Sequence, residues 1–201
     1  MTAFDKIYAN GYWGFGSGHG SLPSVTKGYR AFLENFLAAN HIKSVLDFGC
    51  GDWQFSRLIN WGGIQYTGVD VAGKVIRRNK LKYASDNINF HALNSPAMDF
   101  PAADLLISKD VLQHMTRNDI FAFIKNILPR YKFALITNCV TPADRLNHDI
   151  GAGEFRALDL RMPPYDLAAE VVFSFSVPDI FSWRQFKSFK GSTKRVMLVK
   201  S

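Results

Sequence analysis

Cysteine is scarce in this chain. The 201 residues contain two, Cys50 and Cys139. Two thiols can form one bridge, but nothing around them points to an oxidising compartment, and both read as small buried thiols at strand ends. Long apolar runs are missing as well: no window approaches the roughly 18 unbroken apolar residues that a membrane span needs. The opening, MTAFDKIYANGYWGF, has no basic stretch followed by an apolar one, so no secretion signal is expected. Together these absences predict a cytoplasmic protein with no membrane partner. Metal-ligand spacing is lacking too. His148 and Asp149 are adjacent, yet no recurrent motif such as HExxH occurs, and no metal is expected.

Acidic residues are in deficit: 17 Asp and Glu stand against 24 Lys and Arg, a formal charge of +7. A basic balance fits nucleic acid, an anionic surface or an acidic substrate. The positives gather loosely at Arg77, Arg78, Lys80 and Lys82, and in a tail with Lys187, Lys190, Lys194, Arg195 and Lys200. No RNA-binding module and no interleaving of aromatic and basic residues accompanies them, so both groups read as solvated faces.

Aromatic side chains are plentiful, with 17 Phe and 4 Trp, and 201 residues suffice for one sizeable core. A single domain over 1–201 is expected. Residues 24–40 place Tyr29, Phe32, Leu33, Phe36 and Leu37 on one helical face. Short apolar strands follow at 44–48, 64–70, 88–93, 104–108 and 132–138. Helices are expected at 52–61, 71–85 and 118–131, and two closing strands at 170–176 and 194–200. This alternation predicts an α/β fold, a doubly wound and mostly parallel sheet with an antiparallel strand near the end. Residues 139–168 form a long loop of weak pattern, which usually carries function. In such sheets ligands sit outside the carboxyl ends of the strands.

That rule directs attention to VLDFGCGDW, residues 45–53. Gly49 and Gly51 let the backbone turn sharply and let a ligand press against bare main chain. Nineteen residues beyond Gly51 lies Asp70, placed to accept hydrogen bonds from both hydroxyls of a ribose. A nicotinamide dinucleotide and S-adenosylmethionine both fit so far. Charge favours the second. Asp47 and Asp52 flank the glycines, and a pyrophosphate beside them in a poorly solvated cleft would cost on the order of several kcal/mol. The sulfonium and ammonium of S-adenosylmethionine would be attracted. Gln54 also replaces the third glycine of GxGxxG.

The succession VLDFGCGDW, GVDV and DLLISKDVLQHM resembles the class I S-adenosylmethionine-dependent methyltransferases over roughly residues 40–140. With the N-terminal W-x-x-GSGxGS segment and RALDLRMPPYDL, it resembles a group of small, mostly uncharacterised bacterial methyltransferases. The resemblance implies a seven-stranded Rossmann-like sheet whose last strand is antiparallel. It implies the methionine end of the cofactor over Asp47, Gly49, Cys50 and Gly51, Asp70 on the ribose and Val71 beside the adenine. Where the family often has an acid for the adenine amino group, this chain has Asn94, followed by Ser95.

Three ionisable residues follow the fourth strand: Lys109, Asp110 and His114. In a helical turn over 110–114, Asp110 and His114 meet at i, i+4, and a His oriented by an Asp is a general base for a hydroxyl proton. Lys109 is placed to hold an acidic group of the acceptor or to close the rim of the cleft. In the long loop, Arg156 and Asp159 are expected to pair. PPY at 163–165 resembles the aromatic tetrapeptide of nitrogen-methylating nucleic-acid enzymes, but it lies after the fifth strand and lacks the leading Asp or Asn.

GYWGFGSGHGS, residues 11–21, has glycine at every second position from 14 to 20, yet it follows no strand and has no Gly-Lys-Ser/Thr ending, so it is no phosphate loop. Residues 1–23 read as a lid, with Tyr12, Trp13 and Phe15 as apolar weight. Trp13, Gly18, Ser17 and Ser21 would touch the cofactor, the serines and backbone N–H groups at its carboxylate. The expected function is methyl transfer to a hydroxyl or carboxyl of a small-molecule or glycan-type acceptor. The alternatives are an RNA methyltransferase and a non-catalytic S-adenosylmethionine-binding or partner-binding protein of the same fold.

Overall fold

The computed structural model describes residues 3–14, 16–93, 100–182 and 187–200. Strands β1 (Ser44–Phe48), β2 (Gln65–Asp70), β3 (Ile88–Ala92), β4 (Leu105–Lys109) and β5 (Phe133–Cys139) run parallel. β6 (Glu170–Val177) and β9 (Ser192–Lys200) complete a seven-stranded sheet in the order β3-β2-β1-β4-β5-β9-β6, with β9 antiparallel to both its neighbours. The antiparallel strand is thus the last in the chain. Between β6 and β9 lies a small hairpin, β7 (Ile180–Ser182) with β8 (Lys187–Phe189), where no element was expected.

One face of the sheet is covered by α2 (Lys27–Ala39), whose Tyr29, Leu33 and Leu37 are buried as their spacing predicts. Phe32 on that helix stacks on Phe173 of β6 with ring centroids 4.9 Å apart. α3 (Gly73–Tyr83) joins β2 to β3. On the other face, α4 (Arg117–Asn126) buries Ile120 and Phe123. Its first turn is capped by Thr116, whose hydroxyl accepts the Asp119 N–H. It stops short of the expected Tyr131, because Pro129 has no N–H to donate and the chain tightens into a 3₁₀ turn at Leu128–Arg130. The long loop does part of a helix's work: Leu158, Leu160 and Tyr165 pack against Ile136 of β5 and Met197 of β9. No described helix is long and apolar enough to cross a membrane.

Residues 52–61 do not form the expected helix. Only Ser56–Leu58 turn, as a 3₁₀ segment. The apolar side chains there are Trp53, Phe55, Ile59 and Trp61, which no single helical face can gather, and all four enter the core. Trp53 sits at φ +59 and lays its ring against Tyr66, Tyr83 and Phe90. At the N-terminus, α1 (Ala3–Ala9) precedes the glycine-rich segment and packs beside α3.

Candidate active site

The turn after β1 is built by glycines that no other residue could replace. Gly49 at φ +79 and Gly51 at φ +55 are left-handed. A Cβ at Gly49 would lie 2.3 Å from the Val111 side chain, and one at Gly51 would lie 2.3 Å from Ser17 Oγ. The turn is tied to β2: the N–H groups of Gly49 and Cys50 donate to the Val69 carbonyl at 2.8 and 3.0 Å. Asp70 then clasps it. Its carboxylate accepts the Gly51 N–H at 3.0 Å and the Ala72 N–H at 2.8 Å, joining the glycine turn to the start of α3. Asn79, buried on α3, donates to the Gly51 carbonyl at 2.7 Å. Sequence reasoning missed Asn79. Its signal was a polar residue on the apolar stripe of α3, one turn beyond Val75 and Ile76.

Two buried carboxylates face this turn. Burial pushes Asp47 up to about 6, against a hydrogen bond of 2.6 Å that it accepts from the Tyr66 hydroxyl. Burial raises Asp70 too, while its backbone donors pull it back. Asp52, at the end of the turn, has the exposed Arg78 guanidinium 3.8 Å away.

A cavity of about 490 Å³ opens at the carboxyl ends of β1, β2 and β4. Asp47, Gly49, Cys50, Gly51, Asp70 and Val71 line it, as do Trp13, Ser17 and Ser21 from the N-terminal segment. Lys109, Asp110 and His114 line its other side. Gly18 is not on the cavity wall. It sits at φ +93 and opens the 3₁₀ turn His19–Ser21. Asn94, Ser95 and Phe15 lie outside the described residues.

The N-terminal segment is bolted to the glycine turn. Ser17 Oγ donates to Asp52 Oδ1 at 2.6 Å and accepts the Asp52 N–H at 2.9 Å. Its one proton is thereby used, so the Tyr8 hydroxyl 2.8 Å away is the donor to it. A few residues on, the Gly20 carbonyl accepts from Lys109 Nζ at 3.1 Å.

The expected Asp110–His114 pair is not formed. Asp110 is at φ +61, which breaks the α-turn, and Leu112–His114 follow as a 3₁₀ turn. Both Asp110 oxygens are taken by ammonium groups, Lys109 and Lys194, each at 2.6 Å. Burial alone would raise its carboxyl; the two lysines overcome that and hold it well below the usual range. Lys194 is buried, so it is no part of a solvated tail. Its signal was register: it continues the inward alternation of Val196 and Leu198 on β9.

His114 is held by the long loop instead. Its Nδ1 is 2.8 Å from the Glu154 carbonyl, which makes Nδ1 the protonated nitrogen. Its Nε2 is 3.3 Å from the Gln113 side-chain nitrogen. Gln113 is oriented by the Cys139 N–H, which donates to its Oε1 at 2.8 Å, so the amide N–H₂ is the end that faces His114. Burial lowers the imidazole below its ordinary value. Trp13 lies against the ring, 5.1 Å between centroids. Arg156 braces the same turn from below, donating to the Met115 carbonyl at 2.7 Å. The expected Arg156–Asp159 pair is therefore absent: Asp159 binds Arg161 at 2.8 Å and Arg195 at 3.0 Å.

Residues 45–132 match the family model of a methyltransferase domain. The chain carries a methyltransferase domain. No curated protein matches it significantly. Solved structures similar to this methyltransferase include 1,6-didemethyltoxoflavin-N1-methyltransferase from Burkholderia thailandensis, bound to 1,6-didemethyltoxoflavin and S-adenosylhomocysteine. The TM-score is 0.65 at 17% identity over 98% of this chain and 85% of that one. Magnesium protoporphyrin IX methyltransferase from Synechocystis PCC 6803, bound to S-adenosylmethionine, gives 0.58 at 16% identity over 100% and 86%. The methyltransferase domain of a bacterial protein, CtHen1, gives 0.60 at 17% identity over 86% and 97%. At these identities the likeness establishes the fold, and the different names among the neighbours leave the acceptor of this methyltransferase to its own residues.

Proposed function

We propose that this methyltransferase moves the methyl group of S-adenosylmethionine to a hydroxyl or carboxyl oxygen of a small-molecule or glycan-type acceptor. The observation that carries the reading is the pair of buried carboxylates, Asp47 and Asp70, at a glycine turn that no side chain could fill. A diphosphate would be repelled there, whereas a ligand with a cationic sulfur and an ammonium is attracted. When bound, S-adenosylmethionine supplies a methyl group on a sulfonium, a good leaving group.

In this reading Asp47 faces the ammonium, with Gly49, Cys50 and Gly51 giving bare backbone to the amino-acid end. Asp70 has lone pairs left for ribose hydroxyls after accepting its two backbone N–H groups. Val71 lies beside the adenine, and the Asn94–Ser95 stretch is assigned to its amino group. Trp13, Ser17, Gly18 and Ser21 belong to a lid over residues 1–23, and residues 139–168 form the acceptor-side loop. Lys109, Asp110 and His114 stand at the acceptor end. The bolted N-terminal segment favours an acceptor that is a small molecule or a protruding end group over a folded RNA. Positioning the nucleophile in line can supply roughly 7–11 kcal/mol of the barrier.

Calorimetry tests the cofactor: S-adenosylhomocysteine should bind and NAD should not. Uptake of NAD with none of the homocysteine analogue would overturn the proposal. Labelled methyl transfer into cell-extract fractions tests the acceptor, with label expected in small, nuclease-resistant material.

A further inference from the structure

Resting on that methyl-transfer reading, we infer that the acceptor group is a carboxylate, recognised by Lys109, and that the product is a methyl ester. Two independent features of the acceptor end lead there.

The first is an unbalanced buried charge. Lys109, Asp110 and Lys194 carry two positive charges against one negative, with the lysine side chains 3% and 4% exposed. Among the described residues their other partners are a cysteine sulfur, a backbone carbonyl and aromatic rings. Lys194 Nζ is 2.9 Å from Cys139 Sγ, and Lys109 Nζ donates to the Gly20 carbonyl and lies 5.0 Å from the Phe55 ring centre. Asp47 also feels the Lys109 charge, but its carboxylate is engaged by Tyr66 on the cofactor side. A buried ammonium without a counter-ion is costly. Lys109 and Asp110 line the cavity, so an anion entering it can complete the pair.

The second is that the two residues expected to serve as a base there, Asp110 and His114, are both engaged. Asp110 has an ammonium on each oxygen. His114 keeps its proton on Nδ1 against Glu154, and its Nε2 lone pair is turned to the Gln113 amide. A hydroxyl must give up its proton to react. A carboxyl group is already ionised at neutral pH. The step then balances without proton transfer: a carboxylate oxygen forms the C–O bond as the C–S bond breaks, and the bonding pair returns to sulfur as a thioether. Lys109 touches the acceptor. Asp110 and Lys194 are positioning residues that hold its ammonium in place.

The test is transfer of labelled methyl from S-adenosylmethionine by the full-length protein into the small-molecule fraction of a cell extract, followed by mild alkali. Esters release volatile methanol, and ethers and amines do not. Volatile label is expected. Label that survives alkali overturns the inference while leaving methyl transfer standing. No transfer together with no uptake of S-adenosylhomocysteine sinks the methyl-transfer reading itself, and this one with it.

A second arm separates the acceptor's carboxylate from the cofactor's own. In Lys109→Met, affinity for S-adenosylhomocysteine and for 5′-methylthioadenosine, which lacks the amino-acid end, should fall no more than a few-fold, the effect of freeing the Gly20 carbonyl. Transfer should fall by roughly 100-fold, the scale of truncating one partner of a buried charge pair. Lys109→Arg should retain more transfer than the Met variant. Loss of about tenfold or more in S-adenosylhomocysteine affinity alone would assign Lys109 to the cofactor and overturn the inference.

Discussion

Lys194 and Asp110 are 84 residues apart in sequence and 2.6 Å apart in the fold. The contact joins the entry of β9 to the exit of β4, across the end of β5. It lies under the N-terminal segment: a Cβ at Gly20 would come within 2.9 Å of the Lys194 side chain. One carboxylate therefore organises the acceptor end, the last strand and the seat of the lid together.

Asp110→Asn should be far more damaging than a surface substitution. It leaves two buried ammonium groups with no anion between them, and losing one member of a buried ionic cluster costs about 3–5 kcal/mol. Lys194→Met keeps a neutral Lys109–Asp110 pair and should cost less. The folded carboxyl lies below its unfolded value, so it stabilises the protein above the unfolded carboxylate range near pH 4. That contribution is lost as pH falls from there through the folded value. Thermal melts from pH 6 down to 2 should show this loss in the wild type, and the Asn variant should lack it. Equal melting curves for the two proteins across that range would remove the cluster from the stability argument.

Local pattern reveals much of this fold, and its limits are physical. The five parallel strands and the glycine turn were legible because apolar runs and glycine breaks are local signals. Asp70 was legible because it closes the second strand nineteen residues beyond Gly51, a placement that did not depend on what the chain does in between. Partner choice across the sheet was not. Asp110 takes two lysines and not His114 because β9 returns beside β5, which no spacing within 108–115 announces. Lys194 looked like tail charge until strand register turned it inward. Residues 52–61 looked helical by length, yet Trp53, Phe55, Ile59 and Trp61 each found a separate place in the core. Arg156 serves backbone carbonyls of the 112–115 turn, a role that side-chain pairing rules do not anticipate.

Asp47 should report cofactor binding as a proton. Burial holds its carboxyl up to about 6, with Asp70 adding to the rise. The folded group thus carries a proton that the unfolded chain has lost between about pH 4 and 6, so this residue makes stability fall as pH rises through that window. An ammonium placed beside it lowers the carboxyl again. Titration with S-adenosylhomocysteine near pH 5.5, in buffers of different ionisation enthalpy, should show proton release that fades by pH 8. Asp47→Asn should abolish the release and weaken binding roughly 10- to 100-fold, the worth of a hydrogen bond to a charged group. Proton uptake, or release that persists in the variant, would mean that the ammonium lies elsewhere.

The bolt at Ser17 separates a lid from a mere N-terminal brace. Ser17 Oγ makes three hydrogen bonds, to Asp52 Oδ1, the Asp52 N–H and Tyr8, while its neighbours Gly16 and Gly18 are left-handed at φ +68 and +93. Such a segment can swing on its glycines once the serine lets go. Ser17→Ala removes the bolt without touching β1 or the sheet. It should expose residues 3–20 to limited proteolysis in the free protein, with protection restored by S-adenosylhomocysteine. Its affinity for that ligand should drop several-fold, by the roughly 0.5–1.5 kcal/mol of a typical hydrogen bond. Deleting residues 1–20 should do the same and leave the melting temperature of the sheet nearly unchanged. A deletion that lowers the melting temperature sharply while affinity stays constant would make the segment a structural strap and not a cover for the cofactor.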